Sequence, residues 1–502
     1  MTYIYHDRHA GSDHDSMLIR QTLLYLPAQI LAPLVQFASI LVWARLMTPR
    51  DLGLVTLTIA VQEVYFALFF GWWQRYVLRF VRTFADSAAR HRFLGSETLA
   101  LLASTAAQSL AVVPLCAAME GGLPDPATLA LVEGFMITRS LGAYLADRAR
   151  AEARVGLYSL VQVCGPVVGF AVGVPLLLAH GSSALSVLLG FLLAQGLGLA
   201  AALAMSDALR RPPAFDRAIF HTAIAFGGAV MIATLLATLA LALPRFIVSG
   251  TLGMAAMGTF AVGYGLGLRA SSFAVTLVTA GAYPLVVRRM EQEGIEAAFV
   301  QLRQNMVLVA LAVMPVACGL LAINKLIIDV LVESRFREAT ASILPLATIG
   351  GLFRYLRAHT SDQVFALCLR PGYGTMIAAL DIVVAAASTW IGLRWLGLTG
   401  AALGPMVSGL CTLLASFALS RRRFGFRAPL WAFARILAAA ALMGLGVWAL
   451  RLSHTAPMLL LAMGLGVVFY GGALGVTMPR EARALLTMLA AHLRARRARQ
   501  PS

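Results

Sequence analysis

The sequence predicts an all-α integral membrane protein with about 14 transmembrane helices. Only 13% of its 502 residues are charged and 60% are hydrophobic, whereas soluble domains carry about 25% charged residues. Apolar runs of roughly 20 residues recur along the whole chain, and that is the length an α-helix needs to cross a bilayer. The net charge of +17 sits mainly in clusters between these runs. Together these observations exclude a soluble globular enzyme.

The predicted spans follow the apolar runs, and the turns between them are short and rich in Arg, Gly and Pro. In chain order the spans are 21–46, 51–72, 94–117, 126–146, 156–179, 183–205, 219–243, 252–284, 303–324, 339–368, 373–393, 398–420, 430–450 and 456–477. No loop is long enough to fold as a separate catalytic domain. The chain is therefore predicted to be a helical bundle from end to end.

Arginine clusters predict the orientation of this bundle. The loops after even-numbered spans carry most of the arginines, among them Arg75–Arg92, Arg148–Arg154, Arg210–Arg217 and Arg421–Arg427. Cytoplasmic loops of membrane proteins are enriched in Lys and Arg. We therefore expect both termini on the cytoplasmic side of the membrane. The positive charge is expected to meet anionic lipid headgroups and not nucleic acid.

The two ends of the chain are predicted to be tails and not metal-binding sites. Residues 1–19 are polar and are expected to form a disordered cytoplasmic tail, in which the scattered histidines do not make a metal site. In residues 479–502, leucines can share one face of a helix and arginines the opposite face. This pattern predicts a basic amphipathic helix on the inner leaflet or one that docks a partner. The five cysteines occur singly in apolar segments, so neither a zinc site, a disulfide nor a cofactor is expected.

A hinge between the first two spans, Ala44–Gly53, organises the predicted architecture. Thr48 can cap the second helix, Pro49 fits its first turn, and Asp51 favours its positive end. A similar arrangement of an arginine, a turn and a glycine-led helix recurs about 200 residues later, at Arg245 and Gly253, with Gly258 further along the same segment. Six-helix halves repeated in this way are a common plan of transporters. We expect Arg45, Pro49, Gly53 and Arg245 to form hinges or gates.

The repeat predicts two pseudo-symmetric six-helix lobes followed by two further helices. The first lobe is assigned to residues 20–210, the second to 211–425, and the additional pair to 426–478.

The hinge resembles the first hairpin of the bacterial polysaccharide-biosynthesis flippases, the Wzx-type branch of the multidrug/oligosaccharidyl-lipid/polysaccharide superfamily. Similar segments are Arg245–Gly250, Ala282–Arg289, Ile328–Arg337 and Leu396–Gly404. The resemblance covers roughly residues 20 to 425 and its motifs are loose and apolar.

This resemblance implies a V of two six-helix lobes. It also implies a flippase that moves undecaprenyl-diphosphate-linked oligosaccharide from the cytoplasmic to the periplasmic leaflet by alternating access, for lipopolysaccharide, O-antigen or exopolysaccharide. The implied partners are the lipid-linked glycan, membrane lipids and other polysaccharide assembly proteins.

Charged side chains within the spans are the candidate cavity residues, because a charge in a bilayer costs about 2.5–3.5 kcal/mol on insertion scales and so faces a cavity or a partner. Such charges include Glu133 and Asp381, and the candidates for the cavity itself are Glu63, Arg139, Arg269, Arg354, Arg357 and Asp362. Guanidinium groups bind diphosphate in a forked geometry. Arg269, Arg354 and Arg357 are therefore expected to contact diphosphate or sugar in a hydrated cavity.

Several of these assignments have alternatives. The tenth span could end near Phe353, which would make Arg354 and Arg357 cytoplasmic anchors. Glu63 could be a counter-charge or coupling-ion ligand, or it could pair with Arg139, and the pairing is favoured. Arg45 and Arg245 could line an exit or anchor the outer interface, and the interface is favoured.

The sequence also leaves functional alternatives. A drug/cation antiporter of the same superfamily would commonly carry a carboxylate in its first helix, whereas Leu23–Leu46 contains Gln29 and Gln36 but no Asp or Glu. A peptidoglycan-precursor flippase would share the fold. A membrane glycan polymerase or ligase would need a sizeable catalytic loop, and no such loop is predicted.

Overall fold

The computed structural model describes residues 31–84, 86–120, 125–181, 183–279 and 282–479. Within these ranges the regular secondary structure is helical throughout, with no strand. The predicted tails, residues 1–19 and 480–502, lie outside the described residues, as does the start of the first span. Eleven helical stretches are long and apolar enough to cross a membrane.

The first half of the chain forms long apolar helices that follow the predicted spans closely. They are α1 (Leu31–Leu46), α2 (Pro49–Thr83), α3 (Ser87–Glu120), α4 (Pro126–Ala151), α5 (Val155–His180), α6 (Ala184–Met205) and α7 (217–252). As predicted, Thr48 caps α2: its Oγ1 accepts a hydrogen bond from the Asp51 N–H at 3.2 Å, and Pro49 occupies the first turn.

The second half continues with seven helices and three shorter ones between them. The long helices are α8 (254–279), α9 (Ile295–Ala322), α10 (Ser334–Ala358), α11 (371–396), α12 (398–424), α13 (Leu430–Ala449) and α14 (Ala456–Thr477). The shorter helices are Ala282–Glu293, Asn324–Leu331 and Ser361–Leu367. The fourteen predicted helices are confirmed.

Two long helical stretches are broken by glycine rather than by a loop. Gly253 (φ 83°) separates α7 from α8, and Gly397 (φ 58°) separates α11 from α12. Glycine adopts positive φ without a Cβ penalty. The sequence placed the first of these turns beside Arg245, but the helix continues through Pro244 and Arg245 to residue 252. Transmembrane helices tolerate such a proline, so the turn falls at the next residue that can adopt the required backbone conformation.

Contacts within the chain divide it into two compact units, the first ending at Gly258 and the second beginning at Thr259. The core of the first unit is aromatic and includes Phe70, Trp73 and Tyr144. The core of the second is centred on α9, with Leu302, Met306 and Val309 fully or almost fully buried. This division differs from the predicted boundary at 210/211, because residues 217–258 pack within the first unit. The two six-helix lobes of the sequence remain a prediction.

Candidate functional site

A polar cavity of about 410 Å³ lies inside the first unit, among α1, α2, α4, α5, α6 and α7. Its lining includes eight amide and hydroxyl side chains: Gln36, Gln62, Gln74, Gln162, Gln195, Thr138, Thr234 and Thr238. The charged lining residues are Glu63, Arg75 and Arg139. A concave site with convergent polar groups is the usual setting for ligand binding. We call it the glutamine cavity.

Local departures from α-helical geometry shape this cavity. π-helical segments interrupt α2 at Phe66–Phe70 and α5 at Cys164–Val168. Phe66, Ala67, Cys164 and other residues of these segments line the cavity. Such π-bulges are rare and occur frequently at functional sites.

Arg139 is fixed at one side of the cavity by neighbours on α2. Its Nε donates a 2.6 Å hydrogen bond to Gln62 Oε1, and its Nη2 lies 3.7 Å from Glu63 Oε1. Gln62 in turn donates to Ser140 Oγ at 3.0 Å, and Ser140 donates to Gln108 Oε1 at 2.7 Å. Arg139 retains 27% side-chain exposure. The pairing favoured from the sequence is thus the geometry observed, and it leaves part of the guanidinium facing the cavity.

A second polar cluster lies in the second unit, where α10 meets α11 and α12. Arg354 donates to both carboxylate oxygens of Asp381 at 2.6 and 3.0 Å. Arg357 donates to Asp381 at 3.1 Å and to Asp362 at 3.1 Å. Asp362 also accepts a 2.6 Å hydrogen bond from Ser416. We call these four charged residues the Asp381 cluster.

The positions of Arg354 and Arg357 in the Asp381 cluster fit neither interpretation of the tenth span. The helix continues past Phe353 to Ala358, and Arg354 and Arg357 are each 5% exposed. Neither arginine is therefore an exposed anchor at the interface. Neither is a freely presented cavity donor, because carboxylates hold both guanidinium groups.

The other predicted residues lie apart from these two clusters. Arg269 is half-buried on α8 in the second unit and belongs to the lining of neither described site. Arg45 is exposed near the end of α1, and Arg245 is half-buried within α7.

Two glycines of the hinge segments, Gly53 and Gly258, are however in close contact within the first unit. A Cβ on Gly258 would overlap the carbonyl oxygen of Pro49, and a Cβ on Gly53 would overlap that of Met254. We call this contact the glycine crossing. It brings together the two segments that the sequence identified as hinges.

A buried ion-pair cluster in the first unit was not predicted. Arg148, assigned to a cytoplasmic loop from the sequence, instead lies in α4 and is 2% exposed. Its Nε lies 3.2 Å from Glu97, and its Nη2 lies 2.5 Å from Asp207. Arg90 contacts Asp207 at 2.9 Å and Glu152 at 2.8 Å. The assignment failed because α4 extends beyond its apolar run, with carboxylates from α3 and the α6–α7 connection around its end.

Asp207 lies in that connection, outside the transmembrane helices. Burial favours its neutral form, but the guanidinium of Arg148 and the hydrogen bonds from Arg90 outweigh this effect. The pKa of Asp207 is therefore lowered from its ordinary value.

The sequence carries no clear signal for the burial of Arg148. The repeated hinge segments, with Arg45 and Arg245, are offset by 200 residues, and this offset places Thr348 and not an arginine opposite Arg148. The cavity glutamines carry no signal either, because they are spread over different helices.

Part of the chain matches a known protein family. Residues 135–341 match the model of a family described as "Polysaccharide biosynthesis protein". No curated protein matches the chain significantly by sequence. The matched region begins in α4 and ends in α10.

Solved structures match over most of the chain. The lipid II flippase MurJ, in an inward closed conformation, is 14% identical, with a TM-score of 0.71, and the match covers 92% of this chain and 100% of that one. An inward-facing multidrug resistance MATE family transporter of the MOP superfamily is 13% identical, with a TM-score of 0.62, covering 80% and 98%. The MATE transporter VcmN of Vibrio cholerae is 15% identical, with a TM-score of 0.54, covering 82% and 99%. The chain is thus a multi-pass membrane protein with the fold of the multidrug/oligosaccharidyl-lipid/polysaccharide (MOP) superfamily, and its central region matches the polysaccharide-biosynthesis family.

Proposed function

We propose that this protein is a flippase that moves a lipid-diphosphate-linked oligosaccharide from the cytoplasmic to the periplasmic leaflet by alternating access. The observation that carries the proposal is the glutamine cavity, a polar site enclosed by transmembrane helices. Amides and hydroxyls both donate and accept hydrogen bonds, as sugar hydroxyls require. The family match over residues 135–341 supports a role in polysaccharide biosynthesis.

Arg139 is the residue that we assign to the anionic part of the cargo. It is held by Gln62 and Glu63 yet remains partly exposed to the cavity, so a phosphate oxygen could replace the long contact to Glu63. Charge-assisted hydrogen bonds from guanidinium to phosphate are among the stronger polar contacts. Among the described residues, Glu63 is the only acidic one in the lining, and its release from Arg139 would accompany binding.

The Asp381 cluster favours a structural role for its arginines. For Arg354 or Arg357 to bind substrate, the guanidinium must leave a buried carboxylate, and breaking such a pair costs about 3–5 kcal/mol. The sequence predicts that four residues contact the cargo, and this remains a prediction. They are Arg269, Arg354, Arg357 and Asp362. We infer that the cluster holds α10, α11 and α12 together during transport.

A peptidoglycan-precursor flippase is the second candidate function. It is favoured by the similarity to the lipid II flippase MurJ, which extends over 92% of this chain. Both candidates require the same chemistry from the cavity, since each cargo combines a lipid diphosphate with sugars. The lining offers less support for a drug/cation antiporter, because its one carboxylate is already beside an arginine.

We place the protein in the bacterial inner membrane with both termini in the cytoplasm, since the arginine clusters lie at the ends of even-numbered spans and around the connections that follow them. Membrane lipids and other polysaccharide assembly proteins are its proposed partners. The protein carries out transport and needs no catalytic residue or cofactor.

The proposal is tested by transport in proteoliposomes that contain the purified chain and a fluorescent lipid-diphosphate oligosaccharide. Probe in the outer leaflet is quenched by a reagent that cannot cross the membrane. We expect the chain to increase the quenchable fraction of the probe over time. A parallel set with lipid II distinguishes the two candidate cargos. Proton-driven uptake of a cationic dye, with no movement of either lipid, would overturn the flippase proposal.

A further inference from the structure

A basic cavity of about 520 Å³ lies in the second unit, where α9 and α13 end. Its polar lining residues are Asn324, Lys325, Arg451 and His454, and Trp448 contributes an exposed ring. Lys325 is the only lysine in the chain. The cavity lies at the opposite end of α13 from the Arg421–Arg427 cluster, so it belongs to the side predicted to face the periplasm.

The two permanent cations of this cavity are not neutralised by neighbours. Among the described residues, neither Lys325 nor Arg451 has a carboxylate within ion-pair distance. The nearby acid, Asp329, is held by His454 at 2.5 Å. Arg451 follows the end of α13 with φ 45°, a conformation that bulky residues seldom adopt. The position thus carries a guanidinium where glycine would suit the backbone better.

The other polar side chains of the cavity carry no permanent charge. Asn324 donates through Nδ2 to the carbonyl of Ala341 at 3.1 Å, and its Oδ1 is buried, so it is not open to a ligand. His454 is about half exposed and contacts Asp329 through Nδ1. The basic cavity therefore offers a phosphate two cationic donors, Lys325 and Arg451.

An apolar groove of about 450 Å³ continues from the basic cavity along α9, α13 and α14. Ile323 and Val447 line both spaces. The groove is otherwise formed by aliphatic and sulfur-containing side chains and by glycines, including Gly466, and it ends near Tyr470. At its rim Met463 and Val467 are 57% and 75% exposed. A basic pocket that joins an apolar groove matches a molecule with an anionic head and a hydrocarbon chain.

We propose that this composite site binds one phosphatidylglycerol molecule of the outer leaflet. Its phosphate contacts Lys325 and Arg451, a glycerol hydroxyl reaches His454, and an acyl chain occupies the groove. Basic pockets between transmembrane helices recognise anionic lipid headgroups in this way. Zwitterionic lipids carry the same phosphate together with an ammonium group, which would lie beside two cations. The site lies within the second unit and does not depend on the glutamine cavity.

Native mass spectrometry of the detergent-purified full chain tests the headgroup assignment. We expect phosphatidylglycerol to bind about tenfold or more tightly than phosphatidylcholine with the same acyl chains. The double substitution Lys325→Gln/Arg451→Gln should remove this preference. The matched control Arg394→Gln/Arg422→Gln also deletes two exposed positive charges and should keep this preference. Equal binding of both lipids to the wild-type chain, or an unchanged preference in the Lys325/Arg451 variant, would overturn the proposal.

The groove is tested separately with a pair of glycine substitutions on α14. Gly466→Phe places a ring in the groove and should weaken phosphatidylglycerol binding about tenfold. Gly464→Phe lies outside the lining, where a Cβ would meet no atom within 4 Å, and should bind normally. If both variants bind phosphatidylglycerol like wild type, no acyl chain occupies the groove. Preferential binding of a polyprenyl phosphate over phosphatidylglycerol would also contradict the proposed occupant.

Discussion

Asp381 neutralises two arginines in a part of the molecule from which water is excluded. It is fully buried, and its two oxygens accept hydrogen bonds from Arg354 and Arg357. Desolvating these groups costs several kcal/mol per ion, so the cluster is stable only while the charges compensate each other. Asp362 contributes less to the stability of the cluster, because Arg357 would still be hydrogen-bonded to Asp381 if Asp362 lost its charge.

We predict that Asp381→Asn destabilises the protein by about 3–5 kcal/mol, since it leaves two buried guanidinium groups without their shared carboxylate. Asp362→Asn should cost less. Thermal unfolding of the detergent-purified variants, followed by intrinsic fluorescence, measures both effects. Asp125→Asn is a suitable control, because Asp125 is an exposed helix cap and Asn caps equally well. A melting temperature of Asp381→Asn equal to that of the control would show that the cluster does not stabilise the fold.

The lowered pKa of Asp207 predicts that the stability of the protein depends on pH. Its folded-state pKa is lowered, so the folded protein holds this proton less tightly than the unfolded chain. Its contribution is present above the unfolded pKa of about 3.9 and is lost as pH falls through the lower folded pKa. Asp207→Asn should therefore lower the melting temperature at pH 7 and flatten its decline in acid. Parallel curves for variant and wild type below pH 5 would contradict this assignment.

At the residue scale, the sequence was informative where a charge interrupts an apolar run. Glu63 and Arg139 were found in this way, and the structure places them together. Gln62 and Gln195 were missed, because an uncharged amide in a membrane helix has several packing roles and its direction depends on the neighbouring helices. Their convergence on one cavity is a property of the three-dimensional fold.

At the scale of helices, the glycine crossing is a close approach between the two hinge segments. Gly53 and Gly258 place the starts of α2 and α8 against each other, with backbone carbonyls in the space that a side chain would need. Small residues permit such contacts between membrane helices. The repeat first recognised in the sequence thus corresponds to a physical contact.

Gly258→Ala should force the two helices apart, because the new methyl group would overlap the Pro49 carbonyl oxygen. Overpacking a close contact typically costs about 1–3 kcal/mol, and we expect a loss at the upper end of that range. Gly250→Ala is the matched control, since its Cβ would meet nothing within 4 Å and alanine favours the helix. The melting temperatures of the two variants give the comparison. Equal stability would mean that α2 and α8 are not in close contact.

Element positions were predictable from the sequence to different extents. The number of helices followed from apolar length, which the bilayer sets. The turn near Arg245 was placed too early, because proline and arginine mark helix ends in soluble proteins but not reliably in membranes. The actual break is at Gly253, which the sequence aligned with Gly53 as the start of the next helix, and its positive φ could be identified only from the backbone.

At the scale of the whole molecule, hydropathy predicted the fold class and the order of the helices. It could not predict the division at Gly258, because α7 is as apolar as its neighbours and its packing partners determine to which unit it belongs. The similarity to MurJ and to MATE transporters shows the MOP fold. The proposed cargo depends instead on the chemistry of the glutamine cavity.

Transport by a cavity variant is the most direct measurement of that claim. Gln162→Leu/Gln195→Leu removes two amides from the cavity lining while keeping similar side-chain volumes. Since each hydrogen bond contributes about 0.5–1.5 kcal/mol, we predict that lipid-oligosaccharide flipping in proteoliposomes falls about tenfold or more. The control Gln292→Leu makes the same replacement at an exposed position and should transport normally. Wild-type flipping rates in a folded double variant would contradict the assignment of the glutamine cavity as the glycan-binding site.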